Sequence, residues 1–127
     1  MAGTDLDDYF DAKPSSHEIF TVLKDRIDGL GANTMTVGKQ ISFGATRKFA
    51  WFWLYNVTGK NPSGTPHLML ALDHPVDSRH VRNVAQIGTS RWNHQIVVRT
   101  LDDAHSAWLG ELLAEAYGYG TSGVRRG

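Results

Sequence analysis

The sequence predicts an α+β domain: an antiparallel sheet of about five strands, with an N-terminal and a C-terminal helix packed on one face. Three observations carry this prediction. Apolar residues recur at helical spacing only towards the two ends of the chain. Between them, apolar and polar residues alternate. The links between the alternating runs are mostly too short for parallel crossovers, which need a dozen or more residues.

Residues 1–14 read as a polar, acidic arm anchored by Tyr9 and Phe10. Ser15, with Glu18 three residues on, reads as a capping box that opens a helix. Ile19, Phe20, Leu23, Ile27 and Leu30 form its apolar stripe, and Gly29 and Gly31 end it. A short strand is expected over 34–37, and a half-buried one through Ile41, Phe43 and Ala45. Over 48–55, Phe49, Trp51, Trp53 and Tyr55 alternate with Ala50, Phe52 and Leu54, so both faces are apolar and the strand belongs mid-sheet. Residues 59–66 form a loop by their Pro and Gly content. Leu68, Leu70 and Leu72 are in phase on the next strand. Residues 81–87 fit either a strand or a short helix and are read as strand. In the following run Trp92, His94, Ile96 and Val98 share a face. Thr100 or Asp102 caps the last helix, whose stripe is Ala104, Trp108, Leu112 and Ala116; Gly110 weakens it by about 1 kcal/mol. The expected organisation is an arm over 1–14, one domain over 15–117 and a flexible Gly-rich tail over 118–127.

Composition narrows the function. Hydrophobic residues make up 41% and charged residues 20%, as in ordinary globular domains. Cysteine is absent, which excludes disulfides, thiol catalysis and thiolate metal sites. Thirteen basic residues balance thirteen acidic ones, so the cationic excess usual in nucleic-acid binders is missing from the total, though a local patch stays open. No signal peptide is readable at the N-terminus, and the longest apolar run, 49–55, is far short of the roughly 20 residues that span a bilayer. A soluble, cytoplasmic protein without a membrane partner is expected.

The chemical motifs are weak. Gly118-Tyr119-Gly120-Thr121-Ser122-Gly123 matches the dinucleotide fingerprint but follows a helix instead of opening one. Gly59-Lys60 and Gly64 have the wrong order for a phosphate loop. Six histidines show no metal-protease spacing, and His74 and His80 would reach Asp73 or Asp77 only in a folded-back loop. No Gly-x-Ser-x-Gly elbow is present. No cofactor, metal or catalytic residue is therefore assigned. Two features remain. The aromatic stripe, with Lys39, Arg47 and Lys48 nearby, is either core or a surface for a partner. His94, pointing with Trp92 to a covered face, is either a satisfied core histidine or a pocket residue.

Several segments share an order and spacing: Tyr9-Phe10-Asp11-Ala12-Lys13-Pro14, Lys39-Gln40-Ile41-Ser42-Phe43, Phe49-Ala50-Trp51-Phe52-Trp53 and Arg91-Trp92-Asn93-His94, then Trp108-Leu109 and Ala116-Tyr117. Together they resemble a bacterial family common in actinobacteria, the domain of unknown function 5655. The resemblance implies a compact α+β domain, alone or appended to other modules, some of them nuclease-like, and no catalytic assignment. Where that family often has two adjacent histidines, this chain has Asn93-His94.

The binding candidates are Lys39, Arg47, Trp51, Trp53, Trp92 and His94. The first reading is a non-enzymatic binding module that forms a homodimer or docks a protein partner through the aromatic sheet face. The second is an accessory nucleic-acid-binding module. The third is a small-molecule binder or enzyme with a pocket centred on His94.

Overall fold

The computed structural model describes residue 10 and residues 14–55 and 65–121. Helix α1 (Pro14–Leu30) precedes six strands: β1 (Thr34–Val37), β2 (Ile41–Gly44), β3 (Lys48–Tyr55), β4 (Thr65–Leu72), β5 (Asn83–Gly88) and β6 (Arg91–Val97). A short α2 (Leu101–His105) and a longer α3 (Ala107–Thr121) follow. The fold is α+β, and all strand pairs are antiparallel in the order β1-β2-β3-β4-β6-β5. Six strands form instead of about five, because the segments at 34–37 and 83–88 both pair. The expected loop over 59–66 falls mainly outside the described residues; Thr65 and Pro66, its last two positions, already belong to β4.

Register explains the core. Ile41, Phe52, Leu68 and Ile96 lie abreast across four strands, and Phe43, Ala50, Leu70 and His94 form the neighbouring row; all eight are buried. Phe20 of α1 packs on this face, with ring centroids 6.1 Å from Phe43 and 5.1 Å from Phe52. Phe10 sits beside it, 5.1 Å from Phe20. From α3, Leu109, Leu112, Leu113 and Ala116 are buried over the same face.

One residue breaks the alternation. Phe43 pairs with Ala50 but Gly44 pairs with Lys48, so Phe49 is the extra residue of a β-bulge. The bulge turns the Phe49 ring from the Trp51 face to the helices, where it meets Tyr117 edge-on at 5.6 Å. The expected stripe of Phe49, Trp51, Trp53 and Tyr55 is thereby split, and the Tyr55 side chain lies outside the described residues. Gly120 makes room: a β-carbon there would collide with the Phe49 ring. Accordingly α3 runs on through Gly118 and Gly120 to Thr121, and the first four of the six residues of the glycine motif are helix packed against the sheet.

Helix ends differ from expectation in two further places. α1 begins one residue earlier, at Pro14, where proline's missing N–H is harmless, so Ser15 lies within the first turn. The last helix is two helices. Thr100 caps α2 by accepting from the Asp103 N–H at 3.1 Å. Ser106 is extended; its hydroxyl donates to Asp103 O at 2.7 Å and accepts from the Leu109 N–H at 3.4 Å. Arg26 of α1 clamps this break, donating from Nη1 to Ala104 O at 2.6 Å and Ser106 O at 2.9 Å.

Candidate functional site

The other face of the sheet has a different character. Ser42, Trp51, Met69 and Gln95 form one row across it, and Trp53, His67 and Val97 form the next. None of the described helices lies on this face, and Trp51, Trp53 and Met69 are half-buried. The Arg91 guanidinium sits 4.9 Å from the Trp51 ring centre, held by a 2.9 Å bond from its Nε to Asn93 Oδ1. On the other side of Trp51, a cleft of about 470 Å³ is lined by Thr36, Gly38, Lys39, Gln40, Ser42 and Lys48 as well as Trp51. Trp53 lies 5.4 Å from the His67 ring. The His67 Nδ1 accepts from the Gln95 amide at 3.1 Å. Burial, then the nearby Arg82 and Arg99, hold this imidazole below its ordinary proton affinity.

Charge is sorted between the two layers. Of nine carboxylates among the described residues, seven stand on the helices, and no strand carries an Asp or Glu. Of nine described Lys and Arg residues, seven stand on strands or in the segments that join them to one another and to α2. Within a chain of zero net charge, the described residues therefore form an acidic helix layer and a basic sheet layer. Field and ligand choice follow that distribution and not the total.

The sequence candidates divide accordingly. Lys39, Trp51 and Trp53 come together on the open face. Arg47 goes elsewhere: its guanidinium lies 3.5 Å from the Tyr119 ring centre, and Nε donates to Tyr119 O at 3.0 Å. Its backbone N–H donates to Gly120 O at 3.1 Å, so Arg47 ties off the carbonyl end of α3. Trp92 is on the helix-covered face opposite Leu72, half-buried at the end of its strand.

His94 is 0% exposed beneath the helices. Its Nε2 accepts from the Val76 N–H at 2.9 Å, which places the proton on Nδ1. Nδ1 faces Trp92 O at 3.1 Å and Leu70 O at 3.4 Å. Burial pulls its proton affinity down, against the opposing pull of the two carbonyls. With both nitrogens committed to backbone, the ring fastens the β4–β5 link to the sheet. His74 in that link has a different job. It lies between Asp73 (2.7 Å) and Glu115 of α3 (2.9 Å), and the bond to Asp73 is the main reason its proton affinity is raised. Among the described residues, no three His, Asp or Glu side chains gather as a metal ion would require, and no helix is long and apolar enough to cross a membrane.

A family model described as "Domain of unknown function (DUF5655)" matches residues 6–120. The chain belongs to this family. No curated protein and no solved structure matches it. The DUF5655 assignment agrees with the resemblance carried by the Phe49-Ala50-Trp51-Phe52-Trp53 and Arg91-Trp92-Asn93-His94 segments, and carries no activity with it.

Arg91 was not singled out from the sequence, although a signal exists: Arg91, Asn93 and Gln95 alternate with Trp92, His94 and Ile96 and so share the face that no described helix covers. Arg79, Arg82 and Arg99 also escaped notice. They come from two separate places in the chain, the β4–β5 link and the β6–α2 corner, which the fold brings to one cleft.

Proposed function

We propose that this DUF5655 domain is a binding module whose recognition surface is the open sheet face, and that its partner is a single-stranded nucleic acid. The observation that carries this reading is the pair Trp51 and Trp53 on a sheet face that no described helix covers, flanked by Lys39, Lys48 and Arg91 and bare of carboxylates among the described residues. Flat rings accept stacked bases of any sequence, each contact contributing about 1–3 kcal/mol, while nearby cations neutralise phosphates.

A protein partner would use the same aromatic area. A second copy of this chain fits less well, because a two-fold interface sets like surface on like surface. Arg91 and Lys48 would then meet their own images with no carboxylate among the described residues of that face to offset them.

The test is a titration of the intrinsic tryptophan fluorescence with oligothymidine at low salt, repeated with Trp51→Ala and Trp53→Ala. Binding that quenches fluorescence and weakens on either substitution supports the reading. No binding at low salt, or binding indifferent to both, removes it. A dimer by light scattering that dissociates on the same substitutions would put a second copy in place of the nucleic acid.

A further inference from the structure

We propose that the cleft between the β4–β5 link, the end of β6 and the start of α3 is a phosphate site, which takes a phosphate monoester on Arg79, Arg82 and Arg99. This cleft has a volume of about 300 Å³ and is lined by those arginines with His80, Asp103 and Trp108, among others. None of the three guanidinium groups has a hydrogen bond or ion pair among the described residues. The one carboxylate on the wall, Asp103, is already engaged: its Oδ2 accepts from the Arg99 backbone N–H at 3.1 Å. Three cations thus share a small concave space without a counter-charge of their own. Guanidinium forks match the oxygens of a phosphate and favour its dianion.

Two further observations fit. His80 stacks on Trp108 with ring centroids 4.1 Å apart and planes within 2°, which braces the link that carries Arg79 and Arg82. Val97 also lines the cleft, and it stands in one row with His67 and Trp53 on the other face of the sheet. The cleft therefore adjoins the proposed base-stacking surface without sharing Trp51 or Trp53. Its ligand is either the terminal phosphate of a strand lying on the sheet or a free mononucleotide; the chemistry is the same.

The experiment follows arginine Nε–H and Trp108 indole resonances of the ¹⁵N-labelled chain during addition of inorganic phosphate, with ionic strength held by chloride. Saturable shifts at the three arginines are expected. Shifts no larger than those from chloride would overturn the proposal. The double variant Arg82→Gln with Arg99→Gln, both exposed positions, should weaken phosphate binding by roughly tenfold or more; unchanged affinity would also overturn it. Source is read from three probes: 5′-phosphorylated oligothymidine, its 5′-hydroxyl form and adenosine monophosphate. A preference for the phosphorylated strand that the double variant erases identifies a strand end. Arginine-dependent binding of the mononucleotide without that preference identifies a small molecule. Trp53→Ala separates this site from the sheet face, because it should weaken the hydroxyl oligomer and leave the phosphate shifts intact.

Discussion

Single residues at the sheet carry opposite responses to pH. His94 is buried and neutral, accepting the Val76 N–H, and a proton on Nε2 would destroy that bond. Its folded proton affinity lies below the ordinary value of 6.5. Below that pH the unfolded chain binds a proton that the folded chain refuses, so His94 leaves stability intact above about 6.5 and lowers it as pH falls. The loss approaches at most about 1.4 kcal/mol per pH unit. His67 acts in the same direction, since its affinity is also lowered. His74 acts in the other: its affinity is raised by Asp73 and Glu115, so its contribution is present in acid and fades as pH rises past the ordinary value. Urea midpoints of the wild type between pH 7.5 and 5 should therefore fall more steeply than those of His94→Gln, whose amide oxygen still accepts from Val76. Equal slopes would mean that His94 does not resist protonation. Arg26 offers a second residue-scale check. It bonds two carbonyls at the α2–α3 break, and Arg26→Ala should cost about 1–3 kcal/mol in the same urea assay, with Arg26→Lys recovering only part.

Among the elements, β3 shows how far a period-two pattern reaches and where it stops. Alternation predicts a mid-sheet strand with two apolar faces, and Ala50, Phe52, Trp51 and Trp53 fall on the faces that the pattern assigns them. It places Phe49 with Trp51, and the bulge opposite Phe43 overrides that. The bulge is set by the pairing with β2 and by the space that Tyr117 and Gly120 of α3 leave for the Phe49 ring, neither of which a count along β3 contains. Helix α3 teaches the same point. Gly118 and Gly120 look like a tail because glycine disfavours helix, yet close approach of Phe49 demands a residue without a side chain at Gly120. The split at Ser106 was legible in principle, as a serine ahead of an apolar run, but the continuous stripe from Ala104 to Ala116 concealed it. The candidate site was half legible for a related reason. Aromatic residues on one strand declare themselves, whereas cations gathered from separate loops do not. The bulge yields a direct prediction: Phe49→Ala should cost about 3–5 kcal/mol as a core truncation, and Gly120→Ala should also destabilise by forcing that ring aside. Trp51→Ala and Trp53→Ala should each cost well under the Phe49 value by chemical denaturation. Equal costs for Phe49 and Trp53 would put the two rings in the same kind of surroundings, which the register denies.

Across the whole molecule, topology creates the charge asymmetry on which the proposed binding rests. Both long helices lie on one side of the sheet and carry five of the nine described carboxylates, while the connections at the strand ends carry five of the nine described cations. The β4–β5 link also spans the strand that later inserts between them, which delivers Arg79 and Arg82 to the β6 end of the sheet. Layers stacked about 10 Å apart are separated by about one screening length at physiological salt, so each presents its own sign to a ligand. Two variants with the same net charge make this measurable. Lys48→Glu changes the sheet layer beside Trp51, and Lys24→Glu makes the same change on α1, at the cost of its exposed pair with Asp28. If binding answers to local charge, Lys48→Glu should weaken oligothymidine affinity several-fold and flatten its salt dependence by about one phosphate contact. Lys24→Glu should leave both nearly unchanged. Equal losses would mean that total charge governs the interaction, and the sheet face would then have no special claim as the surface that meets the strand.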